Sequence, residues 1–207
     1  NLAPMAFGWQ MQVGVYETVY LLGFAVASVI RSYYGLQFKR NEIVRSGKEN
    51  PVVFIGMTLW GVVLILPFIT MFSDMLIVAD YEIIAVLRTL GALIFVGGLW
   101  VLWRSHVDLA ANFSPSLFIR ENHTLVTKGI YRNIRHPMYL SFFMWAIGQA
   151  LLINNWLAGP LGLLAFAMIY WFRVPREERQ LLDKFGAEYA AYQKRAGRLL
   201  PKLNSYN

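Results

Sequence analysis

Five apolar runs divide the chain. Val13–Ile30 holds only Glu17 as a charge, Val52–Phe72 holds none, and Ile83–Trp103 holds only Arg88. Tyr139–Ile153 and Trp156–Phe172 are shorter and flank the dipeptide Asn154-Asn155. A bilayer core about 30 Å thick needs about 20 helical residues at a rise of about 1.5 Å each. The first three runs meet that length. The last two read as a tight helical hairpin with Asn-Asn at its tip, either crossing a thinned bilayer or stopping short of the far side. A sixth, amphipathic helix is expected beyond Pro175, which should end the fifth span near Arg173.

Composition supports a membrane setting. Of 207 residues, 57% are hydrophobic and 15% charged, against about 25% charged in a soluble domain. The net charge of +7 is read as topology and not as a nucleic-acid surface, because the basic residues alternate between loops. The segment before Val13 has none, so no cleavable signal peptide is expected. Arg31–Asn50 carries Arg31, Lys39, Arg40, Arg45 and Lys48, whereas Ser73–Glu82 carries only acidic charges. Arg104–Met138 is basic again, the Asn-Asn tip is not, and eight basic residues follow from Arg173 onward. The expected protein is an all-α integral membrane protein with five transmembrane helices. Its N-terminus lies outside, and its C-terminus and site lie on the cytoplasmic side. Residues 1–103 form a membrane scaffold and 104–207 a catalytic and cofactor-binding half. Cysteine is absent, which removes disulfides, thiolate metal sites and cysteine nucleophiles. Arg88, inside a span, is either functional or a residue that snorkels to the outer interface.

The chemistry is concentrated late in the chain. Residues 123–139 read His-Thr-Leu-Val-Thr-Lys-Gly-Ile-Tyr-Arg-Asn-Ile-Arg-His-Pro-Met-Tyr. Gly129 suits a tight turn and Pro137 the first turn of a helix, whose N-terminal amides favour a carboxylate or phosphate. His106, His123 and His136 lack metal-ligand spacing. Nucleophile-elbow, Walker and dinucleotide-binding motifs are absent. On the expected amphipathic helix Glu178, Leu182, Phe185, Tyr189 and Tyr192 share one face. Glu178 then points inward, towards a local arginine or a ligand ammonium, and Glu177 turns away with Lys184 and Glu188.

These motifs resemble the isoprenylcysteine carboxyl methyltransferase family of integral membrane enzymes. The matching text is His123–Tyr131, Arg135–Tyr139, the Asn-Asn hairpin, Arg173, Glu177-Glu178, Phe185-Gly186-x-Glu188-Tyr-x-x-Tyr192 and Leu200-Pro201. The resemblance implies methyl transfer from S-adenosylmethionine to the C-terminal carboxylate of a prenylated cysteine, with the lipid acceptor arriving from the bilayer. It also implies that His123, Leu125, Val126, Gly129, Tyr131, Arg135, His136 and Tyr139 wrap the cofactor. Glu178 would hold the cofactor's ammonium, while Arg173 and Glu177 would be catalytic, Arg173 gripping the acceptor carboxylate. Related membrane families leave two alternatives, a lipid N-methyltransferase and an NADPH-dependent reductase. No metal and no nucleic-acid partner is expected.

Overall fold

The computed structural model describes residues 13–39, 51–109 and 124–202. Five helices run through them: α1 (Val15–Lys39), α2 (Pro51–Phe72), α3 (Ala85–Leu109), α4 (Pro137–Leu152) and α5 (Leu161–Arg195). Short 3₁₀ turns at Asp74–Ala79 and Gly129–Arg132 complete the elements. Three helices are long and apolar enough to cross a membrane, over Val15–Gln37, Pro51–Phe72 and Ala85–Leu109. α4 has 16 residues and α5 continues well past its apolar portion.

The tightest pairing is α3 against α4. Apolar residues cannot drive helix association inside lipid, so close approach of small residues does it instead. A Cβ at Gly91 would stand 2.5 Å from the Leu151 Cβ, and one at Gly148 would stand 2.6 Å from the Phe95 Cβ. Around this seam Tyr20, Phe95 and Trp145 stack as the buried centre, with ring centroids 4.8–6.0 Å apart. α1 packs on α3 and α2 on α5.

Gln149 is the polar centre of this core and is fully buried. Its Nε2 donates to the carbonyls of Val63 (3.2 Å) and Ala158 (2.6 Å). Its Oε1 accepts from the Tyr20 hydroxyl (3.2 Å) and the Trp145 indole (2.9 Å). A polar group in hydrocarbon is tolerated only when satisfied in this way. One side chain thus ties α1, α2, α4 and the following turn together.

The Asn-Asn tip is a turn, as its composition suggests. Asn155 Oδ1 accepts from the Leu157 and Ala158 amides, and its Nδ2 donates to Asp80 Oδ1 at 2.6 Å and to the Leu76 carbonyl at 2.8 Å. Arg88 turns inward to a partner and does not snorkel. It bonds Glu17 at 2.5 Å and the Leu152 carbonyl at 2.7 Å, and lies over the Tyr16 ring at 4.3 Å.

Two sequence expectations about the last helix are corrected. Pro175 lies inside α5 and does not end it. It removes one backbone hydrogen bond, to the carbonyl of Trp171, at a level where Trp171 is largely exposed, while Arg173, Val174 and Glu178 are anchored by packing on either side. The real break is Gly186 (φ 50°, ψ −121°), a left-handed conformation that glycine adopts without steric cost. Leu182 is exposed, and Leu181 in its place meets the Tyr189–Tyr192 cluster across that break.

Candidate active site

The string before α4 folds by local rules. Gly129 has φ 61°, and a Cβ there would meet the Asp108 carboxylate at 2.1 Å. Asp108 accepts the Ile130 amide at 2.7 Å and is gripped at both oxygens by Arg104, one turn earlier on α3. The turn is thereby pinned to the end of α3. Pro137 opens α4 as its first helical residue, where its missing N–H costs nothing.

The C-terminal segment is laced to this string by backbone. The amides of Arg135 and His136 donate to the carbonyls of Gly197 (2.8 Å) and Arg198 (2.9 Å), and the Gly197 amide donates to Asn133 at 3.0 Å. The Tyr192 hydroxyl donates to the Tyr131 carbonyl.

Glu178 is the electrostatic centre of the join. Its Oε1 accepts from Arg135 (2.8 and 3.0 Å) and faces His136 Nε2 at 3.3 Å, and its Oε2 accepts from Arg198 (2.7 and 3.0 Å). Burial alone would raise this carboxyl's pKa. The hydrogen bonds from His136, Arg198 and Arg135 outweigh it and hold the group well below the ordinary carboxylate range. Of the two partners that sequence leaves open for Glu178, the local arginines occupy both oxygens.

Glu177 does not turn away. Its Oε1 accepts from the Tyr139 hydroxyl at 2.8 Å and from Arg173 Nε at 3.0 Å, and Oε2 lies 3.8 Å from His136 Nδ1. Adjacent residues of α5 serve different neighbours because the helix is packed on two sides. Arg173 and Glu177, one turn apart, face α4 and α2, whereas Glu178 faces the C-terminal segment.

These side chains border a cavity of about 610 Å³, within the usual range for small-molecule sites. Of the sequence-assigned residues, Leu125, Val126, Tyr131, Arg135, His136, Tyr139, Arg173 and Glu177 line it. Gly129 and Glu178 are not among the lining residues, and His123 lies outside the described residues. The lining combines polar groups, Arg135, His136, Tyr139, Arg173 and Glu177, with apolar walls from Phe24 of α1, Trp60 and Leu64 of α2, and Trp145 and Phe166.

A model of the isoprenylcysteine carboxyl methyltransferase family matches residues 89–183. Protein-S-isoprenylcysteine O-methyltransferase B of Arabidopsis thaliana is 34% identical over 104 residues, which are 47% of this chain and 51% of that protein. The protein-S-isoprenylcysteine O-methyltransferase of Saccharomyces cerevisiae is 42% identical over 84 residues, 39% of this chain and 34% of the relative. The second half of the chain is similar to the isoprenylcysteine carboxyl methyltransferase family. It matches between about a third and about half of the length of these two relatives. The solved structure of a eukaryotic intramembrane Ras methyltransferase of the family has the same fold. Its TM-score is 0.58 at 22% identity, over 95% of this chain and 71% of that one.

The family match thus begins at α3, and the likeness of fold extends to the scaffold before it. The scaffold also builds the site. Arg31, Met57 and Trp60 line the cavity, although the sequence counts Arg31 only as the first charge of a basic loop, where α1 in fact continues, and nothing in their apolar run marks Met57 or Trp60. Arg198 was equally hidden among the basic residues of the tail. Its spacing from Glu178 carries no motif, and only the fold makes the pair.

Proposed function

We propose that the protein is an S-adenosylmethionine-dependent methyltransferase acting on the carboxylate of a prenylated cysteine, presented at the cytoplasmic face of the membrane. The observation that carries this reading is the Arg173–Glu177–Tyr139 cluster lining a cavity that is otherwise walled by apolar and aromatic side chains. One site then accommodates a charged cofactor and a lipid tail. The donor set fits the cofactor: Glu177 offers a carboxylate to its ammonium, and Leu125, Leu181, Phe185 and Tyr189 offer apolar and aromatic surface. Burial pushes the Tyr189 hydroxyl up to about 12, so it stays a neutral hydrogen-bond donor. Bound S-adenosylmethionine supplies an electrophilic methyl group.

The chain's own residues supply placement. Arg173 is buried, and Glu177 at its Nε fixes the plane of the guanidinium. A planar, permanently charged group can hold a carboxylate through parallel hydrogen bonds and aim one oxygen. No general base is needed, because the attacking carboxylate is already ionised. A cavity poor in water favours a step in which opposite charges cancel, and alignment provides much of the rest.

Arg173→Lys keeps the charge and loses the fork. Turnover should fall by more than about tenfold, or about 1.4 kcal/mol of barrier, with cofactor affinity nearly intact. A near-parental rate would leave Arg173 as an interfacial anchor. The reading as a whole is tested by equilibrium binding of labelled S-adenosylmethionine against NADPH to the purified protein, with methyl transfer to a small S-prenylcysteine acid. Saturable NADPH binding alone would replace it with a reductase.

The topology proposed with this reading has five membrane passes, an external N-terminus and a cytoplasmic C-terminus. In this cysteine-free chain, Lys202→Cys should be labelled by an impermeant reagent from the cytoplasmic side and Val78→Cys from outside. The reverse pattern would invert the orientation.

A further inference from the structure

We propose that Arg31, on the scaffold helix α1, is a second recognition residue for the acceptor's carboxylate, facing Arg173 across the cavity. The inference rests on the methyl-acceptor reading above and assigns a site residue outside the segment that the family model matches, residues 89–183.

Arg31 lies near the end of α1 and lines the same cavity as Arg173 and Glu177. Its guanidinium sits 5.3 Å from the centroid of the Phe142 ring on α4, and that ring is part of the aromatic wall with Trp60 and Phe166. Arg31 and Arg173, two groups of like charge, both line this cavity. Among the described residues no carboxylate pairs with Arg31, and Glu177 Oε1 bonds Arg173 and Tyr139 instead. Two guanidiniums that line one apolar-walled cavity repel each other. An anion held between them removes that repulsion and adds charge-assisted hydrogen bonds.

The ligand chemistry this arrangement selects is a monoanionic carboxylate attached to an apolar tail. The tail would lie along Phe24, Trp60 and Leu64 and the head would sit between Arg31 and Arg173. A neutral methyl ester, the product of the proposed reaction, offers no charge to either arginine. Arg31 therefore favours acid over ester and assists product release.

The experiment measures equilibrium binding of a small S-prenylcysteine acid and of its methyl ester to the full chain in zwitterionic vesicles, for the parent and for Arg31→Met and Arg31→Lys. Binding of S-adenosylmethionine reports that each variant is folded. Arg31→Met should weaken the acid about tenfold or more while leaving the ester and S-adenosylmethionine within about twofold; Arg31→Lys should fall between. Unchanged acid affinity in both variants overturns the proposal. Equal losses for acid and ester also overturn it, since they mean that Arg31 only packs against the tail. A change that appears only with anionic phospholipid in the vesicles overturns it in favour of a headgroup site. Parent turnover tests the underlying reading separately, because the acid-to-ester binding ratio is read without any methyl transfer.

Discussion

Glu178→Gln should cost about 3–5 kcal/mol of stability, the range expected when a buried ion pair loses one partner and leaves the other charge uncompensated. Here two guanidiniums, Arg135 and Arg198, converge on one carboxylate whose side chain is 6% exposed, and glutamine removes the charge without changing the shape. Thermal unfolding in detergent should shift down by about 10 °C or more, at about 2–4 °C per kcal/mol for a chain of this size. The pH dependence follows from the depressed carboxyl. A group whose folded pKa is lowered stabilises the fold above its unfolded pKa, near 4.5, and that contribution is lost as pH falls below it towards the folded value. The parent should therefore lose stability progressively below about pH 5, and Glu178→Gln should lack this component. Glu177→Gln should weaken S-adenosylmethionine binding, because Glu177 lines the cavity beside Tyr139 and Arg173. It should cost less stability than Glu178→Gln, because Glu177 meets one arginine and its side chain is 22% exposed. If Glu178→Gln weakened the cofactor at parental stability, Glu178 would be a ligand and not a clamp.

The contrast between these two neighbouring glutamates shows where sequence reasoning reaches and where it stops. The three long spans, the turn at Asn155 and the opening of α4 at Pro137 are local events, set by hydropathy, an Asx turn and a fixed φ, and each is legible in order along the chain. The Arg135–Tyr139 string is legible as chemistry for the same reason. Helical phase failed at Glu177 because it assumes one buried face, and α5 has two. Its correct inward placement of Glu178 left the partner unnamed, since Arg198 returns through a backbone pairing with no periodic pattern. Pro175 misled because the cost of one lost helical bond was set against propensity alone, without the tertiary anchors of Arg173 and Val174. Gln149 carried no signal at all: a lone amide in an apolar run discloses its four partners only when α1, α2 and α4 assemble around it.

The Glu17–Arg88 pair should behave as a stability device at the far end of the bundle from the cavity. The two residues are 71 positions apart in sequence and join the start of α1 to the start of α3. Arg88 also reaches the carbonyl of Leu152 at the end of α4, so one guanidinium fastens three helices. Their side chains are 16% and 19% exposed, which places each single replacement near the lower end of the range for a broken buried pair, about 3 kcal/mol. Arg88→Met leaves Glu17 charged without a partner, and Glu17→Gln leaves Arg88 with only the carbonyl and the Tyr16 ring. The double variant removes both charges together and should recover most of the loss. A residual of about 1 kcal/mol should remain for the Leu152 hydrogen bond. Thermal unfolding of the four proteins in one detergent gives the coupling energy directly. Additive losses with no recovery in the double variant would mean that the two charges act independently. Arg88 would then be held by the backbone and the Tyr16 ring, with Glu17 serving only the first turn of α1, where its Oε2 accepts the Gly14 amide at 3.1 Å.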